Sequence, residues 1–578
     1  MHTKLRFLLI LLWMILPVTA AQIAVAKPSG NNVGTSQSTK IKSGTKVNTH
    51  KSPAPAKAKE KAPQKRSLEE RREAIGKALQ SILEIYSTQK ATALSYCEEA
   101  MALLEEDDPE TIRANLMLMC MELYSRNDRP KDVLALAERM NATFSDTKIQ
   151  MSICFLEATA LTKLNEWTAA RKKYESCPNQ EDSMLMSNVA ELYMIEGDSK
   201  GSVEAYRKSL ERAPDNPHAI FGLATALDRA GAPEKAKAAF LKGVETDPAF
   251  SYLKEAFFEP KAEPDFQTAF RMYEGHRFKE AQFYLNRYIS MEERPAYKAH
   301  GKAMLEHAEA DLKSDTPILA ATYPVVLSNV RASAISADAR YLAFAALERK
   351  KADDYKSVIW TLDTATGKPF REAEFANEII FDLAFVGDST ELRALSTQHR
   401  YALDSADNAH DYYIYDNNSE LLSVALNNSG KDILAMTPNG LLTSSPWSNP
   451  YAEAPLLSVP SNLSRLKVSA DNQTSIITTA TKTEVFDNAK QEVLKTFPRA
   501  FYATVIAAHP QKNLFALGIQ SGAILVDDAG RLIDFFATPG QVVSLALAPS
   551  GRYLMTFSEQ TAEIWRLQPE IIHEEQKP

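Results

Sequence analysis

Glycine is scarce, 20 residues in 578. No cluster of them forms a phosphate-cradling loop, and neither a G-x-S-x-G turn nor an H-E-x-x-H helix occurs. Cysteine is rarer, four in all, with no C-x-x-C pair and no close Cys–His pair, so a zinc site is not expected. The ten histidines are scattered. His300 and His307 stand two helical turns apart without partner ligands and read as surface residues of a helix. The expectation is no catalytic residues, no metal and no cofactor. Positive charge is also lacking where the chain should fold: from residue 67 onward 54 Lys and Arg face 73 Asp and Glu. Phosphate binding needs a basic face, which argues against nucleic acid as a partner of the folded part. Beyond residue 26 no apolar run is long enough to cross a bilayer.

The one long apolar run stands at the N-terminus. Lys4 and Arg6 precede Phe7 to Leu16, and Val18-Thr19-Ala20 or Ala24-Val25-Ala26 fits a small-x-Ala cleavage site. Residues 1–26 therefore read as a signal peptide, with an uncleaved anchor as the alternative. No Cys follows the apolar run, so lipoprotein processing is not indicated. Either way the bulk of the chain is expected outside the cytoplasm, most simply in a bacterial periplasm. Residues 27–66 hold ten Lys and Arg against Glu60 and almost nothing apolar. They should be a disordered spacer, since they cannot bury enough surface to offset the entropy of ordering. Weak contact of this basic segment with an anionic envelope surface is a second reading.

From residue 67 the composition turns to helix formers, and a 34-residue period emerges. Ala190, Tyr193, Gly197, Ser202, Tyr206, Ser209 and Pro214 return 34 residues later as Ala224, Leu227, Gly231, Ala236, Phe240, Gly243 and Pro248. Small residues let antiparallel helices approach, bulky ones plug the next hairpin, Gly permits the turn and Pro stops the second helix. Degenerate copies flank this pair: Cys120, Leu123, Asn127 and Val133; Ala158, Leu161, Asn165, Ala170, Tyr174 and Cys177; and, downstream, Ala269, Met272, Ala281, Leu285 and Tyr288. Residues 296–313 look like a closing helix. The pattern resembles the tetratricopeptide repeat, a helix–turn–helix solenoid. Five or six hairpins are expected over 67–313.

The resemblance implies a superhelical groove that takes peptides. Its groove-facing helices would offer Ser187, Asn188 and Glu191, then Phe221, Gly222 and Thr225. The Lys and Arg that grip a C-terminal carboxylate in one well-known variant are missing, so that role is not carried over. All four cysteines lie in this half. Cys154 stands near the start of one helix and Cys177 near the end of its antiparallel mate, where they could meet. In an exported protein an even count favours disulfides. Of three connectivities, 97–120 with 154–177 is preferred; the alternative is that these cysteines fill small buried positions.

After Asp315 the pattern becomes apolar alternation broken by polar turns. Turn markers at Asp338, Asp388, Ser429, Asp471, Gln511 and Ser550 are spaced 50, 41, 42, 40 and 39 residues apart. A charged insertion at 348–357 explains the first interval. About fifteen residues after most markers comes an apolar strand, often closed by Asp, as at Leu403-Asp404, Phe486-Asp487 and Val526-Asp527. This resembles WD40-like propeller blades, although the Gly-His pair and the Trp-Asp dipeptide are absent. Six blades are expected, seven at most. Ala320 to Leu327 could supply the fourth strand of the last blade and so close the ring. The recurring Asp338, Asp388 and Asp471 read as turn formers that satisfy their own backbone, not as paired catalytic carboxylates.

The expected organisation is thus multidomain α + β. A signal (1–26) and linker (27–66) precede an all-α solenoid (67–313), an all-β propeller (316–568) and a disordered tail (569–578). The expected function is an exported, non-catalytic scaffold that binds protein partners through the groove and a propeller face, in envelope assembly or secretion. Two alternatives stand beside it. One is a propeller hydrolase or lyase, which needs carboxylates or a His–carboxylate pair at the channel mouth. The other is a secreted effector acting on a host, for which sequons at Asn141, Asn417, Asn427, Asn462 and Asn472 would matter.

Overall fold

Helices occupy the chain to Leu312 and strands follow from Leu319 to Arg566. The computed structural model describes residues 67–568 apart from 87–88, 179–181, 251–260, 352–353, 397–398, 404–408, 414–422, 427–431, 437–440, 449–453, 459–462, 480–481 and 498–502. The signal, linker and tail expectations, the marker Ser429, Asp404 and the sequons at Asn417, Asn427 and Asn462 lie outside the described residues.

The helical half holds α1 (Leu68–Ile85), α2 (Lys90–Met101), α3 (Glu110–Arg126), α4 (Pro130–Thr143), α5 (Thr147–Lys163), α6 (Trp167–Ser176) and α7 (Ser183–Glu196). It continues with α8 (Ser199–Arg212), α9 (Pro217–Arg229), α10 (Pro233–Thr246), α11 (Glu263–Glu274), α12 (Phe278–Met291) and α13 (Pro295–Leu312). Six successive pairs, α1–α2 through α11–α12, form hairpins, and α13 closes the stack. Helix starts follow from local chemistry. Ser67 and Glu70 make a reciprocal capping box, and Asp182, Asp198 and Asn216 cap α7, α8 and α9. Gly197 ends α7 at φ 91°, a left-handed turn that a side chain would strain. The small positions are steric: Gly222 lies under the Tyr206 ring and Gly301 under the Tyr288 ring. Cys97 is bonded to Cys120 and Cys154 to Cys177, with Cα–Cα distances of 5.7 and 5.6 Å. Each bridge ties a helix to a neighbour in the stack.

The β half forms six four-stranded antiparallel sheets. Five use consecutive strands, over 330–376, 382–413, 423–458, 463–496 and 505–537. The sixth adds Leu319–Pro324 to the outer side of the last three strands, so the first strand of this half pairs with the last. The six inner strands, each the first of its sheet in chain order or, in the sixth, Ser544–Leu547, contact one another around a ring. The sheets are numbered below as blades one to six in that order. The described turn markers fall between the innermost strand and its neighbour. There Ser336 and Ser469 each donate to the Asp two residues on, and that Asp accepts the backbone N–H of Arg340 or Gln473. The Asp that closes the third strand acts likewise: Asp363, Asp487 and Asp527 accept turn N–H groups. The charged insertion lengthens one hairpin, Tyr341–Lys351 with Asp354–Asp363.

The two halves share a core. One hydrophobic cluster runs from Cys154 through the solenoid to Phe535 and Ala537 in the outermost strand of blade five, Leu532–Ala537. Phe535 meets Phe240 and Phe250 at 5.9 and 5.4 Å between ring centroids. Beside it Asp534, 8% exposed at its side chain, lies 3.1 Å from Lys237 Nζ and 3.0 Å from His276 Nε2. Burial alone would raise the Asp534 carboxyl; His276 and Lys237 instead hold it well below the usual carboxylate range. Arg277 reaches Glu563 in blade six at 2.5 Å, and the Ala537 N–H donates to the Gly275 carbonyl. The outer strand of blade four, Glu492–Thr496, is exposed along most of its length, with Lys495 paired to Glu245 of α10. Phe535→Ala should cost about 3–5 kcal/mol and split one denaturant transition into two when helix and sheet signals are followed separately. Replacing Cys97 and Cys120 together by Ala should cost about 3 kcal/mol in the same measurement.

Candidate functional site

The groove expected from the repeats is closed. Ser187, Asn188, Glu191, Phe221 and Thr225 are buried, and Gly222 lies beneath Tyr206. The chain itself covers this surface. Arg229, at the end of α9, is sandwiched between the rings of Phe266 in α11 and Tyr297 in α13, at 4.0 and 4.3 Å. It pairs with Glu263 at 2.6 Å, the two side chains 1% and 4% exposed. Arg294 donates to the Ile195 carbonyl at the end of α7. His300 pairs with Asp228 at 2.8 Å and tilts against Phe266, which makes it part of this closure and not the surface histidine its spacing suggested. His307 remains exposed. The helices that should have extended the groove thus fold their first turns over it. The period marks which helix faces inward, but not what comes to lie on that face.

Inside the closure Glu191 Oε1 stands 2.6 Å from His218 Nε2. Burial, and then the charge of Glu263, push the Glu191 carboxyl up to about 8. Burial pushes His218 down to about 4. The pair is therefore neutral, a protonated carboxyl beside an uncharged imidazole. Folded Glu191 keeps a proton that the unfolded chain releases near 4.5. Its contribution to stability is full below that value and declines as pH rises to about 8. His218, with fewer protons folded than unfolded between about 4 and 6.5, acts in the opposite direction. The slopes oppose each other up to pH 6.5, and above it Glu191 acts alone. Thermal or denaturant unfolding should show a loss of about 2 kcal/mol from pH 6.5 to 8, absent in Glu191→Gln.

The repeat-signature residues are architectural. Ala190, Ala224, Ala236, Tyr206 and Phe240 are buried, as is Leu227. Tyr193 stacks under Arg171 and donates to Glu175. Gly197 and Gly231 adopt positive φ, and Pro214 and Pro248 stand two residues beyond helix ends. The Pro248 carbonyl also accepts the Ser521 hydroxyl across the seam.

The open site is in the propeller. A cavity of about 550 Å³ runs along the ring axis, walled by Ala332, Ser333, Ala334, Ala507 and Ala546 among others. Ser333 and Ser544 face each other at 2.7 Å between hydroxyls. Among the described residues five charged side chains line it: Arg331, Arg349, Arg465, Lys467 and Asp382. Asp382, the one carboxylate among the described lining residues, pairs with Lys467 at 2.8 Å and accepts the Leu426 N–H, tying three inner strands together. A His–carboxylate pair, His399 with Glu378 at 2.7 Å, stands outside the cavity lining, and the neighbouring Ser396 is fully buried. Among the described residues no group of His, Cys, Asp and Glu could hold a metal ion, and no helix is long and apolar enough to cross a membrane. The arginines at the cavity carried no signal in the periods. Their only trace was basic residues at strand starts in an acidic half, and the insertion that carries Arg349.

Residues 193–256 match the tetratricopeptide-repeat family model. That stretch covers the end of α7 through α10, where the seven-position pattern repeats. No curated protein matches the sequence. Solved structures share part of the arrangement. A chain of "Crystal Structure of Mitotic Checkpoint Complex" is 12% identical, with 44% of this chain and 98% of that one covered and a TM-score of 0.31. The Myceliophteria thermophila Cps50 (Swd1) beta-propeller domain is 14% identical, with 42% and 83% covered and a TM-score of 0.29. Likenesses this distant carry no functional inference. The chain is a tetratricopeptide-type solenoid joined to a β-propeller, an architecture suited to holding other proteins.

Proposed function

We propose that this protein is an exported, non-catalytic scaffold whose partner-binding surface is the propeller channel, with the solenoid as its buttress. The observation that supports this is the contrast between the two candidate surfaces. The repeat groove is filled by Arg229, Arg294, Phe266 and Tyr297, while the channel is open, with Phe381 on its lining 41% accessible and Val543, one residue ahead of the inner strand of blade six, 42% accessible. An enzymatic channel would need converging carboxylates or a His–carboxylate pair facing the cavity. The carboxylate that lines it is held by Lys467. The N-terminal signal pattern, the even cysteine count and the two bridges favour an oxidising compartment, and a periplasmic role in envelope assembly or secretion fits them.

A photo-crosslinking residue in place of Val543 tests this in intact cells, with the same residue at Phe283 on the outer face of α12 as the comparison. Discrete light-dependent adducts from position 543 in a periplasmic fraction are expected. Adducts from 283 alone would move the binding surface to the solenoid. Recovery of the protein in culture supernatant would reject periplasmic residence.

A further inference from the structure

The channel has two unlike ends. All six inner strands run the same way around the ring, so their first residues share one mouth. Arg331 is the second residue of Val330–Ile335, and Arg465 the third of Leu463–Val468. Arg349 reaches the same mouth from the lengthened hairpin of blade one. Leu347 bonds to Asn329 just ahead of the inner strand, and Arg349 stands two residues further out. That hairpin has strands of 11 and 10 residues, against 6 and 6 in blade five. The extra length is on the order of 15 Å and projects on the mouth side. At the opposite end the lining is apolar, with Ile335, Phe385 and Pro549.

We propose that this mouth is a binding site for an acidic peptide segment of a partner protein. This rests on the scaffold reading and names the chemistry its channel recognises. Arg331, Arg349 and Arg465 are exposed and set around one opening, and Lys467 pairs with Asp382 beside them. The result is a local cationic pocket on a stretch, residue 67 onward, that as a whole carries 19 more acidic than basic residues. Planar guanidinium groups match carboxylates in bidentate geometry. A long polyanion such as nucleic acid would extend beyond the mouth along a chain whose net charge from residue 67 is acidic, which disfavours it. A short acidic stretch meets only the mouth. Phe381 at the rim, with the alanine and serine wall below, gives an apolar side chain of the same peptide a place to bury.

The test uses the full chain and three fluorescent probes: a ten-residue Asp/Glu-rich peptide carrying one Leu, its Asn/Gln counterpart, and a ten-nucleotide oligothymidylate. The acidic peptide should bind and weaken as salt is raised, and the amide counterpart should not bind. The Arg331→Glu/Arg349→Glu pair should weaken binding at least about tenfold, and Arg331→Gln/Arg349→Gln by less. Lys302→Glu, an exposed site on α13, should change nothing. Equal loss in Lys302→Glu, no loss in the paired variant, or tighter binding of oligothymidylate than of peptide would each overturn the assignment. Position-543 crosslinks that persist in the Arg331→Glu/Arg349→Glu background would sink the acidic-peptide site and leave the scaffold standing. Absence of those crosslinks in the otherwise unaltered chain counts against the scaffold itself.

Discussion

One packed seam, the strand Leu532–Ala537 of blade five, joins the two repeat architectures. An outermost propeller strand ordinarily leaves a row of unpaired backbone groups facing water. Here the solenoid covers it. Phe535 enters the aromatic cluster of Phe240 and Phe250, and Asp534 collects Lys237 and His276. A buried carboxylate held between a lysine and a histidine fixes position more than it adds stability, since desolvation offsets much of the attraction. Apolar burial around Phe535 supplies the adhesion, and Asp534 sets where it occurs. The described residues from 67 onward consequently group as one compact unit in place of two tethered modules.

Closure of the repeat groove follows a similar logic. Arg229 and Glu263 could not be buried singly; buried together, with Phe266 and Tyr297 stacked on the guanidinium, they become part of a core. The face that the period assigns to binding serves instead as an internal surface. What remains open is the propeller mouth, whose charge is opposite in sign to that of the folded region as a whole.

The periods of the sequence made most of the fold legible. Ala190, Gly197, Tyr206 and their counterparts 34 residues on sit where steric reasoning puts them, and Asp338 and Asp471 bond their own turns. The strand that closes the ring was visible as a fragment without a blade. The candidate site was much less legible. A repeat records contacts between adjacent copies, and those recur. Arg229 with Tyr297, Lys237 with Asp534, and Arg331 with Arg465 around one mouth are each met once, between elements tens to hundreds of residues apart. His300 shows the cost: its spacing suited a surface helix, yet Asp228 on a different hairpin claims it.

The strand Leu319–Pro324 also imposes an order in time. It is made before any other strand of the ring, yet its partner, Thr561–Arg566, is made last. Until then blade six lacks its outer strand and the ring stays open. The helical half, whose contacts are local, has no such wait. A chain drawn through a membrane from its N-terminus would therefore present a folded solenoid and an unclosed sheet array for most of its passage. A chain that stops short of Thr561 lacks the strand on which Leu319–Pro324 pairs and cannot close the ring in this way.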